Sequence, residues 1–105
     1  MTRLTTIEAA AALGSVPTPF VTILAHGSMK VEWYKPDTVD NQTPHRQDEI
    51  YVIASGTGTF YNQGERTPFS AGDVLFVKAG HEHRFENFTD DFATWVIFYG
   101  PDGGE

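Results

Sequence analysis

The sequence predicts an all-β domain, a sandwich or closed barrel, preceded by one short helix. Three observations carry that prediction. Turn signals recur roughly every eight to twelve residues beyond the first fifth of the chain, the interval of antiparallel strands joined by tight turns. The segments between them are rich in Val, Ile, Phe, Tyr and Trp, which suit a pleated, packed surface. Several are apolar at both parities: Ile50 and Val52 against Tyr51 and Ile53, Val74 and Phe76 against Leu75 and Val77, and Trp95, Ile97 and Tyr99 against Val96 and Phe98. A sheet wetted on one face alternates apolar with polar, so these strands are expected to be covered on both faces. In a chain this short the second cover is expected to be another subunit, giving a homodimer.

The elements follow in order. Thr5-Thr6-Ile7-Glu8 is a capping box, Ala9 to Leu13 are good helix formers and Gly14 is a stop, which places a helix over residues 6–13. Pro17 and Pro19 then hold the backbone extended. Strands are read over Phe20–Leu24 and Met29–Tyr34, split by the turn His26-Gly27-Ser28. Lys35–Pro44 is a loop. Glu49–Ala54 is a strand turned by Ser55-Gly56-Thr57-Gly58, and Thr59–Tyr61 pairs back through Asn62-Gln63-Gly64. Pro68–Gly72 reads as a turn, Asp73–Val77 as a strand and Lys78-Ala79-Gly80 as a further turn. Glu82–Glu86 and Ala93–Tyr99 close the series around Asp90-Asp91, and the last residues, PDGGE, read as frayed.

With 105 residues there is room for one domain, residues 1–105, with its barrel core over about 20–100. Cysteine is absent, which excludes disulfides, thiol catalysis and thiolate zinc sites and accords with a reducing cytoplasm. The formal charge of −7 repels phosphate backbones, and the seven Lys and Arg form no stripe, so no nucleic-acid partner is expected. No apolar run reaches the roughly 18 residues of a membrane span, and the first residues lack the continuous apolar stretch of a secretory leader. The expected partner is a small molecule.

Chemistry falls to histidine and carboxylate. His45 and Glu49 stand at i and i+4, so on a continuous strand they share a face; His81 and His83 share one for the same reason. His26, before Gly27, reads as turn chemistry. Arg46 and Arg84 are at opposite parity to the neighbouring histidines and should point away from them. Tyr51 and Phe85 share parity with His45 and His83 and are pocket candidates; Trp33, Phe60, Phe76 and Trp95 read as core. Gly56, Gly72 and Gly80 serve turns, Asn87 ties a strand end, and Asp90-Asp91 is a solvated loop. No phosphate loop, nucleophile elbow or dinucleotide fingerprint is present.

Two spacings resemble the cupin family, a jelly-roll barrel or double-stranded β-helix. In the first motif His45 is followed by Glu49 four residues on and Gly56 seven after that, with Thr43 where the family has its first His. In the second, Gly72, Gly80, His83 and Asn87 stand at the family's separations, with Lys78 where Pro is usual. The resemblance spans about residues 20–100 and implies one divalent metal ion per chain inside the barrel. Carried over, its ligands are His45, Glu49 and His83, with Gln47 or Gln42 as a fourth in place of Thr43, which itself faces the pocket. Two His and one carboxylate suit Fe(II) or Zn(II), and Mn(II) and Ni(II) fit as well. The implied activity is that of a dioxygenase, or of an isomerase or decarboxylase in which His81 or Glu82 moves protons at the rim. His81 can equally be a spare ligand or a surface residue. The alternative is a non-catalytic small-molecule-binding or sensor module.

Overall fold

The computed structural model describes residues 2–105. Helix α1 (Thr6–Leu13) is capped by Thr5, whose hydroxyl oxygen accepts from the Glu8 amide at 3.1 Å. Eight strands follow: β1 (Phe20–His26), β2 (Met29–Tyr34), β3 (Asp48–Ser55), β4 (Thr57–Asn62), β5 (Glu65–Ser70), β6 (Val74–Val77), β7 (His83–Glu86) and β8 (Ala93–Tyr99). They form a five-stranded sheet, β1-β2-β8-β3-β6, and a three-stranded sheet, β5-β4-β7, with every pairing antiparallel. The domain is all-β with one short helix, as the sequence predicts.

Residues paired directly across antiparallel strands face the same way, so the register assigns the faces. Trp33, Trp95, Val52 and Val74 form one row across β2, β8, β3 and β6, and Val31, Ile97, Ile50 and Phe76 form a second. These rows make the outer face. Alternate residues make the inner face: Lys30, Phe98, Glu49 and Val77 in one row, Glu32, Val96, Tyr51 and Leu75 in the next. Against the inner face packs the small sheet, and the core between them gathers Tyr51, Ile53, Phe60, Phe69, Val77, Phe85 and Phe92. Phe85 touches four of those rings, with centroids 4.6–5.4 Å away. Burying one such ring contributes about 1.5–3 kcal/mol.

Part of the outer face is covered from within the chain. Ala9 of α1 is fully buried with Trp33 and Ala93, and Leu13 and Trp95 pack beside them. Coverage stops short of β6, where Val74 is 64% and Phe76 50% exposed. The expectation that another subunit covers the whole second face is therefore narrowed to the β3–β6 side, and Phe76 is not core.

Two expectations are corrected. Pro68–Ser70 belong to β5 rather than to a turn; β5 is the edge of its sheet, where a missing N–H is tolerated. The final residues are held rather than frayed. The Gly103 amide donates to the Arg46 carbonyl at 2.7 Å and the Glu105 amide to Asp48 Oδ2 at 3.0 Å. Asn62-Gln63-Gly64 does turn the β4–β5 hairpin, with φ of 50° at Gln63 and 88° at Gly64, the positive pair such tight hairpins require. Gly56, with φ 88°, carries the chain from one sheet to the other. A Cβ there would lie 2.5 Å from Phe92 Cα.

Candidate metal centre

Three side chains from three segments converge inside the barrel. Glu49 sits on the inner face of β3, and His83 opens β7. His45 comes from the segment preceding β3 and not from the strand itself, so its approach to Glu49 is made by the bend of residues 46–47 and not by strand parity. His83 Nε2 is 2.7 Å and His45 Nδ1 3.1 Å from the same Glu49 oxygen, Oε1. One ligand atom from each residue can be chosen so that all lie within 4.8 Å of one another. The Glu49 and His83 side chains are at most 1% exposed, whereas His45 is 31% exposed and forms the open side.

The donor set fits a divalent ion. Glu49 Oε2 is buried and has no hydrogen-bond partner among the described residues, a costly condition for a carboxylate oxygen unless something else satisfies it. His83 Nδ1–H donates to the His81 carbonyl at 2.8 Å. That bond leaves Nε2 as the nitrogen presented to the cluster, the arrangement by which metal-binding imidazoles are commonly oriented. Burial pushes the Glu49 carboxyl up, but the hydrogen bonds and charges of His45 and His83 outweigh it and hold it below its ordinary range. Burial pushes His83 down, but the Glu49 carboxylate and the His81 carbonyl outweigh it and raise it.

A second layer of polar groups adjoins the cluster. The Tyr51 hydroxyl donates to Gln42 Oε1 at 3.0 Å and lies 3.0 Å from His83 Nε2 and 3.3 Å from Glu49 Oε1. Burial first, and the Glu49 carboxylate second, hold that hydroxyl well above its ordinary range. Gln42 Nε2 donates to Asp40 Oδ2 at 2.7 Å. Asp40, only 6% exposed, also accepts from the Gln42 amide at 3.2 Å, the Phe85 amide at 2.8 Å and the Tyr34 hydroxyl. The loop between β2 and β3 is thereby tied to both sheets.

Beside His45 opens a cavity of about 880 Å³, within the range of roughly 300–1,000 Å³ usual for small-molecule sites. Val96 and Phe98 supply apolar wall, Lys30 and Arg46 supply positive charge, Glu32, Asp37 and Asp102 supply negative charge, and Thr43 lies on its lining.

The sequence-predicted residues divide accordingly. His45, Glu49 and His83 are brought together, and Thr43 lines the cavity. Tyr51 is fully buried, with its hydroxyl against the cluster. Phe85 is core, with rings on several sides, and does not line the cavity. Gln47 lines the cavity, and its Nε2 is engaged by the Ser28 and Gly100 carbonyls, at 2.8 Å each. His81 contributes its carbonyl, and neither it nor Glu82 lines the cavity; Glu82 pairs outward with Arg84 at 3.2 Å. Arg84 points away as expected, over the Tyr61 ring, but Arg46 is on the cavity lining rather than turned from it. Asp40 went unread in the sequence; a single acid in a polar loop carries no signal of burial.

This small antiparallel barrel with a His–Glu–His cluster in its interior is a cupin domain. The cupin-domain family model (Cupin_2) matches residues 30–99, and the chain belongs to that family. An uncharacterized protein of Streptomyces coelicolor is 34% identical over 85 residues, covering 79% of this chain and 81% of that protein. The oxalate-binding protein of Thermotoga maritima is 46% identical over 39 residues, which are 37% of this chain and 32% of that protein. Among solved structures, a predicted oxalate decarboxylase from Thermotoga maritima aligns with a TM-score of 0.59 at 25% identity, covering 74% of this chain and 76% of that one. No helix among the described residues is long and apolar enough to cross a membrane.

Proposed function

We propose that this cupin is a metal-dependent enzyme acting on a small organic acid. The observation that carries the reading is the convergence of His45, Glu49 and His83, with one Glu49 oxygen left unpartnered and with His45 on the wall of a roomy cavity. One divalent ion per chain, of Fe, Zn, Mn or Ni, would be held by these three residues and would supply Lewis-acid polarisation of a bound carboxylate or carbonyl. The chain's own contributions follow from its geometry. His45 and His83 offer imidazole nitrogens, and the His81 carbonyl keeps His83 in the tautomer that binds. Val96 and Phe98 exclude water, which strengthens every charge interaction inside. Lys30 and Arg46 would pair with an anionic ligand, while Glu32, Asp37 and Asp102 on the same lining oppose one, so the attraction for a carboxylate would come chiefly from the ion. The oxalate named for the Thermotoga maritima relative and structure supports a carboxylic acid; the cavity, about 880 Å³, favours one larger than oxalate. Decarboxylase-like or isomerase-like chemistry needs a proton donor or acceptor besides that polarisation, and dioxygenase-like chemistry needs O₂.

The test is metal content in protein isolated without chelator, followed by CO₂ release and O₂ uptake against a panel of small acids, diketones and phenols. Close to one metal per chain, lost in His83→Ala, supports the reading. Content far below one per chain in the wild type overturns it.

A second reading is favoured by the name of the oxalate-binding relative: a binding or sensor module that holds its acid without turnover. It predicts ligand-induced thermal stabilisation of the loaded protein with no product formed. For assembly we propose a second copy of this chain, seated two-fold on the exposed Val74 and Phe76 and the half-buried Ile50 and Val52 beside them. One contiguous apolar strip meeting its own copy closes a dimer. Light scattering that gives only monomer across micromolar concentrations removes this.

A further inference from the structure

We propose that Tyr51 supplies the fourth protein ligand of the metal centre, through its phenolic oxygen, in the position that Thr43 leaves unfilled. The inference rests on the metal reading above and goes beyond it, because it enlarges the donor set with a residue of a different chemical kind.

The geometry carries it. An ion bonded at about 2.0–2.2 Å to donors at right angles holds those donors about 3 Å apart. The separations within the cluster are of that size: 2.7 Å between His83 Nε2 and Glu49 Oε1, and 3.1 Å between His45 Nδ1 and Glu49 Oε1. The Tyr51 oxygen fits the same spacing, at 3.0 Å from His83 Nε2 and 3.3 Å from Glu49 Oε1. It therefore stands among the donors and not behind them. Among the described residues, the other candidates the sequence offers are engaged or turned elsewhere. Thr43 is exposed on the cavity lining, Gln47 is bonded to two backbone carbonyls, and Gln42 reaches the cluster only through Tyr51.

The position is also built. Tyr51 has no exposed surface. Its ring is packed edge-on by Phe60 and Phe85, with centroids 5.8 and 4.9 Å away, so the oxygen is fixed by the core. Glu49 and Tyr51 are two apart on β3, which places both on the inner face by strand period alone. On ligation the phenol O–H bond breaks, the proton leaves to solvent and a metal–oxygen bond forms, with no change of oxidation state. The charge of the ion supplies the stabilisation of the anion that burial otherwise denies. Gln42 serves both states, since its amide carries an acceptor oxygen and a donor nitrogen.

The experiment uses ferric iron as the probe, because a phenolate bound to Fe(III) gives a visible charge-transfer band and imidazoles and carboxylates do not. Wild-type protein loaded with one equivalent is expected to show the band, and excitation within it should enhance tyrosinate ring modes in the Raman spectrum. Tyr51→Phe is expected to abolish the band and to weaken ferric affinity by at least roughly tenfold, the lower end of the loss seen when even a residue that only orients a ligand is removed. Gln42→Ala, which leaves Tyr51 in place, is expected to keep the band. Wild-type protein that binds iron without the band or the Raman modes overturns the proposal even if Tyr51→Phe fails to fold. A band undiminished in Tyr51→Phe overturns it too. In both cases the three-residue metal site survives; wild type that binds no metal at all removes both.

Discussion

The five-stranded sheet turns two faces from the same strands, and they solve opposite problems. Its inner face carries Glu49, Tyr51 and Glu32 among apolar residues. There the carboxylate at the cluster is engaged by two histidines, and the tyrosine hydroxyl by an amide. The outer face carries Trp33, Trp95, Ile50, Val52, Val74 and Phe76 in unbroken rows, leaves the buried Trp33 Nε1 without a partner, and is covered over only part of its width. Chemistry here is placed where low dielectric makes each pairing strong. Association is left to the face where only area matters.

The predictions test that contrast, beginning with the inner face. His83→Ala removes a ligand and leaves the buried Glu49 carboxylate with one partner fewer. We expect bound metal to fall below about a tenth of the wild-type content, and metal-free stability to drop by about 3–5 kcal/mol, the usual cost of breaking a buried pair. Elemental analysis and urea unfolding measure the two. Unchanged stability would mean that Glu49 is already neutral in the bare protein.

Acidity should separate the same two quantities. His83 Nε2 must lose its proton to hold a cation, and its pKa is raised. Metal affinity should therefore rise with pH, by about tenfold per unit while His83 is still largely protonated. Stability of the metal-free fold should behave otherwise. The His83 contribution is fully present below the ordinary value of 6.5 and is lost as pH rises through the raised one. The Glu49 contribution is present above 4.5 and is lost as pH falls through the lowered one. Metal-free stability should thus peak between those two ordinary values, where loading is still weak. A pH series of unfolding curves with and without chelator reads both.

Asp40→Asn tests the tie between loop and sheets. Asp40 takes hydrogen bonds from Tyr34, Gln42 and the Phe85 amide, so the amide replacement turns one acceptor into a donor facing donors. A loss of about 1–3 kcal/mol is expected, with hydrogen exchange rising first between residues 35 and 47. The smallest effect belongs to the outer face. Phe76→Lys should change the stability of the monomer by no more than about 0.5 kcal/mol, while abolishing any concentration-dependent association seen by light scattering.

The same contrast explains what the sequence disclosed. Strand positions were legible because apolar residues at both parities, cut by Gly and Asp turns, leave few alternatives. The helix was legible from Thr5 and Glu8. His45, Glu49 and His83 were legible only as spacings. Their meeting depends on a bend before β3 that strand parity does not describe. Pro68 misled because proline marks turns far more often than edge strands, and only the sheet order shows that β5 is an edge. Arg46 misled for the reason His45 did, since both lie off the strand. Asp40 and Gln42 sit in a run of Pro, Asp and Asn that reads as solvent-exposed, and their placement is set by Tyr34, Tyr51 and Phe85 on three different strands, which the local sequence does not reveal.

Gly56 has a consequence for how the domain breathes. It sits at the far end of β3, about 20 Å along the strand from Glu49, and even a methyl group there would strike the backbone of Phe92. The two walls are clasped at that end with less than one carbon atom of clearance. Widening that admits a guest is then easier at the other end, where residues 36–47 form much of the cavity lining. The domain is a flask pinched at its base, and its cavity opens beside His45.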